Sequence, residues 1–465
     1  LGRVEYALAG GRINTDAIDN SAGVDCSDHE VNIKIVLNAV LQAGSLSLPE
    51  RDKLLAEMTD EVAALVLRDN YFQTQSLSVS GALAPALLDP QERFIKSLEK
   101  AGRLNRALEY LPDDEEFAER RAAKRGLTQP ERAVLLAYAK IALYDELLAS
   151  NVPDDPFIST ALERYFPALL RERYKAQIHA HPLRREIIAT HVTNSMINRV
   201  GSTFVHRMQE ETGAPAPDVV RAYLIVREVF GMVDLWRAVE ALDYKVADRV
   251  QTAMVIDAGR LIVRATLWFL RNRAHLADLT RSIERFRAGA ERVAAFLPEI
   301  LPATEKAAFA AAAARLQKEG VPPELAARCA AFEPMFYALD IVDVAHSVQR
   351  DIEPVARLHF ALAGELDFSW IRARIGALPA ETHWHTLAKA ALRDDLASML
   401  RALAAEALRA DGATDPASQI AAWKARNAVL YERVRQVLTE LRAAETPDLA
   451  MLSVAMRELR NLSAR

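Results

Sequence analysis

The stretch Gly10-Gly11-Arg12-Ile13-Asn14-Thr15-Asp16-Ala17-Ile18-Asp19-Asn20-Ser21-Ala22-Gly23-Val24-Asp25-Cys26-Ser27-Asp28-His29-Glu30 gathers small residues, turn formers and hydrogen-bonding side chains just ahead of an apolar run. That mixture is the chemistry of a binding loop rather than of a core. Ser27 followed three residues later by Glu30, before Val31, Ile33, Ile35, Val36 and Leu37, reads as a capping box. It predicts a helix from near Asp28 to Ala43, with Gly44 as its stop. The free N–H groups of such a helix start would receive a carboxylate or phosphate against Val24 to His29, and Gly23 would let a ligand approach the backbone. The plainer reading is that Ser27 and Glu30 only cap a helix and Asn20 only makes a turn.

Working outward, Val4, Tyr6 and Leu8 alternate with Glu5 and Ala7, which suits one short strand, the last of a sheet whose other strands lie upstream. Ser47 and Pro49 open a further helix, and Thr59 restarts the pattern with Val62, Leu65 and Val66 on one face. Ser76 to Pro90, with serines, a glycine and two prolines, reads as a linker.

From Gln91 onward the signal is helical: apolar residues recur at three and four residue spacings over Val134 to Leu148, Leu162 to Ile178, Leu183 to Met208 and Val219 to Val239. The most apolar helix is expected over Val255 to Arg273. Its Arg260 and Arg264 need acidic or carbonyl partners if they face inward, with Asp234 or Asp243 expected nearby. Beyond Leu276 the composition shifts to Ala, Leu, Arg and Glu, with breaks at Pro298 to Thr304, Gly320 to Pro323, Pro334, Pro354 and Gly412 to Pro416. No fixed-period repeat points to a solenoid.

A hydrophobic content of 51% with 26% charged residues is that of an ordinary globular chain, and 465 residues suffice for two or more cores. The net charge of -5 gives no electrostatic reason to expect nucleic acid or an acidic membrane as partner. Two cysteines, Cys26 and Cys329, do not make a disulfide framework, and a reducing cytoplasm is expected. No apolar run reaches the ~20 residues that span a bilayer.

His383-Trp384-His385 and the pair His179 and His181 place imidazoles two apart, on different faces of a helix, so no metal is expected. Cys26 is read as packing, with a redox role as the alternative. Asn194, Asn198, Arg199, Thr203 and Arg207 line up on one side of a helix, either as a polar interface with a catalytic part or another subunit, or as a solvated stripe.

The run from Gly11 to Lys34 resembles the late catalytic-domain segment of the large bacterial NAD-dependent glutamate dehydrogenases. So do Thr59 to Val62, Leu67 to Tyr71, Pro182 to Thr190, Asn198 to Phe204 and Glu210 to Ala214. The resemblance implies a mainly α chain: a multi-helix C-terminal domain preceded by a short α/β remnant of a nucleotide-binding, Rossmann-like catalytic domain. The expected division is 1–80 and 81–465, with a subdivision left open near 275–300. The chain begins with Leu1 and has no G-x-G-x-x-G turn after a strand, so it reads as the C-terminal part of a longer polypeptide, with the catalytic lysines and aspartate upstream of Leu1.

The family's N-A-G-G-V-x-x-S-x-x-E motif falls on Asn20, Ser21, Ala22, Gly23, Val24, Ser27 and Glu30, with Ala22 in place of the first glycine. By resemblance, Ser27 contacts the substrate side-chain carboxylate, Val24 and Gly23 wall the pocket, and Asn20 lies near the nicotinamide of NAD. The implied activity is oxidation of L-glutamate to 2-oxoglutarate and ammonia with NAD reduced. The implied partners are the upstream catalytic portion and further copies in a homo-oligomer. The alternative is a non-catalytic helical assembly or regulatory domain.

Overall fold

A computed structural model describes residues 1–379, 383–409 and 415–463; part of the break expected at Gly412 to Pro416 lies outside them. Among the described residues every regular element is helical. The first helices are α1 (Gly2–Leu8), α2 (Asp16–Asp19), α3 (Ser21–Gln42), α4 (Leu48–Glu57), α5 (Thr59–Ala82), α6 (Ala84–Lys100), α7 (Asp114–Ala122) and α8 (Gln129–Leu148). Next come α9 (Ala161–Tyr165), α10 (Ala168–Arg173), α11 (Lys175–His179), α12 (Arg184–Val200), α13 (Phe204–Thr212), α14 (Ala216–Val229), α15 (Met232–Glu240) and α16 (Asp248–Arg271). The remainder are α17 (Leu279–Ile300), α18 (Ala303–Lys318), α19 (Pro323–Ala330), α20 (Phe332–Met335), α21 (Ala338–Ser347), α22 (Ile352–Glu365), α23 (Phe368–Ala377), α24 (His383–Leu408), α25 (Pro416–Arg426), α26 (Ala428–Ala443) and α27 (Leu449–Ser463). They group into two compact units, Leu1–Ile225 with Thr266–Thr280, and Val226–Ala265 with Arg281–Arg465.

The strand expected over Val4 to Leu8 is instead the helix α1, so the described residues hold no α/β remnant. A strand there would have had no partner, whereas as a helix the segment packs on α8 and lets Arg3 reach Asp16 and Asp19. Tyr6 covers Gly11 so closely that a Cβ there would fall 2.1 Å from the ring.

The second correction concerns α3, which starts at Ser21 rather than near Asp28; Glu30 pairs with Lys34 one turn on and caps nothing. Its end is as expected, with Gly44 left-handed at φ +69°. The opening of α4 at Ser47, with Pro49 in the first turn, is also as read, and Glu50 completes a capping box with Ser47 there. The linker expected over Ser76 to Pro90 is helical. Ser76 and Leu77 are buried in α5, only Leu83 interrupts, and buried Leu88, Gln91, Phe94, Ile95 and Leu98 hold α6 together through Pro90.

Further along, the run Leu162 to Ile178 is cut into α9, α10 and α11, and the next two runs break at Gly201 (φ +85°) and Gly231 (φ +57°). Within the first unit, α12 packs on α5, α8 and α9. Arg120 and Glu131 are joined there by two hydrogen bonds of 2.6 and 2.8 Å, the carboxylate buried.

In the second unit Arg264 pairs at 2.7 Å with Glu333, and Arg260 with its own neighbour Asp257, so neither uses the expected Asp234 or Asp243. Arg264 is held instead 4.0 Å over the Phe336 ring, beside the carboxylate that Arg372 also approaches at 3.4 Å. Arg372 in turn donates to Tyr337 at 2.9 Å. Gly289 lets α17 close on α21, since a Cβ would meet Val342 at 2.2 Å.

His359 on α22 is 1% exposed, wedged against Tyr337 and Phe360, with neither ring nitrogen hydrogen-bonded among the described residues. Burial pulls its imidazole down to about 3. The unfolded chain therefore takes up this proton as pH drops below the ordinary histidine value of 6.5, while the folded chain does not until about 3. Stability is thus lost on acidification through that window, by roughly 1.4 kcal/mol per pH unit at most. Urea midpoints at pH 7 and pH 5 should show the wild type losing on the order of 2 kcal/mol more than His359→Leu, in which this proton is absent. Equal losses would contradict the assignment.

Candidate functional site

Helix α3 has two faces of opposite character. Asn20 stands at its N-cap position, and Gly23, Val24 and Ser27 follow at helical spacing, all exposed, with Val24 at 74%. A Cβ added at Gly23 would meet nothing within 4 Å. The sequence-derived residues are thus brought together on one open helix face. They are not a loop, and the anion seat expected against Val24 to His29 is absent. The N–H groups from Asp25 to His29 lie inside the helix, where the backbone ladder takes them up, and the Asn20 carbonyl accepts from Gly23 at the helix start.

The opposite face carries Asp25, His29 and Asn32, continued by buried Ile33, Val36, Leu37 and Val40. Its anchor is Tyr165, whose ring stacks on His29 at 4.3 Å. The Tyr165 hydroxyl donates to Asp28 Oδ2 at 2.7 Å and accepts from Asn32 Nδ2 at 3.0 Å. Burial and the Asp28 carboxylate push that phenol far above its ordinary value. At the helix start, Ser21 pairs with Asn70 and accepts from Gln73 Nε2 at 3.2 Å; Gln73 Oε1 accepts from Lys140 Nζ at 3.1 Å.

Behind the open face, then, lies a layer of titratable groups. Burial, with Asp69 and Asp28 beside it, pushes the Asp25 carboxyl up to about 7. Asp69 is raised by burial too, and Lys140 is pulled down to about 8 by burial against the pull of both acids. Burial also holds His29 below its ordinary value, 3.9 Å from Asp25 Oδ1. Asp25 Oδ2, His29 Nδ1 and Asn32 Oδ1 are buried with no hydrogen-bond partner among the described residues. Sequence reading missed this layer. Its one visible sign is the spacing of Asp25, His29, Asn32, Val36 and Val40, which runs on as a single helix face.

The other candidates resolve simply. Arg199 lies over Phe72 of α5 at 3.9 Å and donates to Gln75 at 2.8 Å, and Asn198 and Thr203 are buried, so the polar stripe is a packed interface inside the first unit. His179 pairs with Glu163 at 2.8 Å, and His181 Nδ1 accepts from the Leu183 N–H at 3.0 Å. The His383 side chain lies outside what the structure describes; among the described residues no group of three or more His, Cys, Asp or Glu is placed to hold a metal. Cys26 is exposed, while burial pushes the Cys329 thiol up to about 12. No helix of the described residues is long and apolar enough to cross a membrane.

Because the folded carboxyl of Asp25 titrates at about 7 against 3.8 when unfolded, its contribution to stability is present below 3.8 and lost as pH rises through about 7. Asp25→Asn lacks this loss. Relative to the wild type, its melting temperature should climb between pH 5 and pH 8, by the equivalent of about 2 kcal/mol once solvent screening is allowed for. A difference that stays flat across that range would refute the raised value.

Residues 1–80 match the family model for the bacterial NAD-glutamate dehydrogenase catalytic domain, and residues 124–461 match that for the glutamate dehydrogenase C-terminal region. The chain is 42% identical over 464 residues to the NAD-specific glutamate dehydrogenase of Pseudomonas aeruginosa. It is 40% identical to the proteins of that name from Halomonas elongata, over 463 residues, and Mycobacterium tuberculosis, over 464. These alignments cover 99–100% of the chain but only 28–29% of the relatives' length.

Proposed function

Since the chain belongs to the family of bacterial NAD-dependent glutamate dehydrogenases, we propose that the open face of α3 is one wall of the glutamate pocket in a larger enzyme. That enzyme oxidises L-glutamate to 2-oxoglutarate and ammonia. The observation that carries this reading is the bare stripe of Gly23, Val24 and Ser27, held rigid by a buried polar layer on the other side of the same helix.

Ser27 then donates its hydroxyl proton to the side-chain carboxylate of glutamate, for which a mid-helix position frees it from any capping duty. Val24 and Gly23 give an apolar surface that keeps water from the substrate's methylenes. NAD, when bound, supplies the hydride acceptor. The described residues contain no strand and glycine-rich turn to cradle its pyrophosphate, so this stretch offers the cofactor only Asn20, at the start of α3. Residues 1–80 are read as the end of the catalytic domain and 81–465 as a helical domain that supports it.

In the full-length enzyme, Ser27→Ala should lower kcat/KM for glutamate by roughly tenfold to a hundredfold, the worth of one hydrogen bond to a charged group. Stability should move by less than about 0.5 kcal/mol, because Ser27 is exposed within a helix that alanine favours. Unchanged glutamate kinetics would remove Ser27 from the pocket.

A further inference from the structure

Helix α3 begins without a local cap. Asn20, the joint between α2 and α3 at φ -104° and ψ 3°, gives no side-chain hydrogen bond to the helix start. What fixes the first turn comes from other helices. Ser21 Oγ accepts from Gln73 Nε2 of α5 at 3.2 Å, and Gln73 Oε1 accepts from Lys140 Nζ of α8 at 3.1 Å. Ser21 and Gln73 fall in the catalytic-domain match, whereas Lys140 falls in the C-terminal one.

The direction of every bond in this chain is set at its lysine end. The Lys140 amine, pulled down to about 8, is protonated at pH 7 and holds donors only. Asp25 and Asp69 both draw on it, yet its hydrogen bond goes to a neutral amide. A donor-only partner turns the Gln73 carbonyl oxygen toward α8 and therefore the Gln73 NH2 toward α3. Ser21 must then accept, which leaves its own proton for Asn70 Oδ1, with the Ile18 carbonyl 3.1 Å away as the other acceptor. Without the amine nothing on α8 chooses between the two orientations of that amide.

We propose that Lys140 is a positioning residue for the cofactor end of the pocket, acting through Gln73 and Ser21 to fix the first turn of α3 and with it the place of Asn20. The inference rests on the pocket reading given above for Asn20 and Ser27. Asn20 is exposed directly beside the pinned serine. Ser27 lies further along, next to Asp28, which Tyr165 holds separately. The helix thus has one hold for each end of the pocket, and loosening the first hold displaces Asn20 while sparing Ser27.

The test compares Lys140→Met and Gln73→Leu in the full-length enzyme. Each should raise KM for NAD roughly fivefold to tenfold and leave KM for glutamate within about twofold, and the double variant should be no worse than the larger single. Amide hydrogen exchange should quicken over residues 22–26 and stay unchanged over 33–40, which a general loss of stability would not produce. Lys140→Met takes the amine away from Asp25 and Asp69; if it fails to fold, Gln73→Leu, which spares all three, decides the matter by the same two readouts. An unchanged KM for NAD, a parallel rise of both KM values, or effects that add in full overturn the proposal. Ser27→Ala, run alongside, separates the two failures: if it depresses glutamate turnover, only the role of Lys140 is lost, and if it is silent too, the pocket reading has fallen with it.

Discussion

The grip of Tyr165 on α3 is the constraint from which the rest of the first unit follows. One phenol stacks on His29, donates to Asp28 and accepts from Asn32, three residues within a five-residue span of the same helix. With that side of α3 committed, its rotation about its own axis is settled, and Asn20, Gly23, Val24 and Ser27 are turned outward. A single hydrogen bond is worth about 1 kcal/mol net, so the rotation is held by the sum of the contacts and by the buried Ile33, Val36, Leu37 and Val40 that continue the same face.

The polar layer has a second effect. Asp25, Asp69 and Lys140 sit where burial disfavours charge on each: the Asp25 carboxyl is pushed up to about 7, that of Asp69 is raised, and the Lys140 amine is pulled down to about 8. Charged together they compensate in part; neutral together they avoid the desolvation cost. The protonation of such a set is a property of the group rather than of one side chain, and it lies directly beneath the surface assigned to substrate.

Much of the helical architecture was legible because it rests on local rules. The opening of α4 at Ser47 and Pro49 and the glycine stop after α3 lie where turn and cap chemistry puts them. The same rules misled where tertiary packing outweighed them. Ser27 and Glu30 match a capping pattern yet lie inside a helix whose true start is set by Ser21 and its contacts with α5. The serines and prolines between Ser76 and Pro90 resemble a linker, but buried Leu77 and Leu88 keep that span helical. Of the candidate site, the identity of the outward residues was readable through the family motif. The layer beneath was not, because Lys140 and Tyr165 come from helices far along the chain and no local pattern ties them to Asp25.

The stacking of Arg199 on Phe72 joins a helix within the catalytic-domain match to one within the C-terminal match. The Asn32 to Tyr165 hydrogen bond does the same. The homology boundary near residue 80 is therefore a seam in ancestry and not in mechanics. Cutting the gene there would strip Phe72, Leu77 and the inner side of α3 of their cover, and each separated piece would carry a sticky aromatic and aliphatic surface into solution. Dissection of this polypeptide into soluble parts has to follow the packing and keep residues 1–225 together with 266–280.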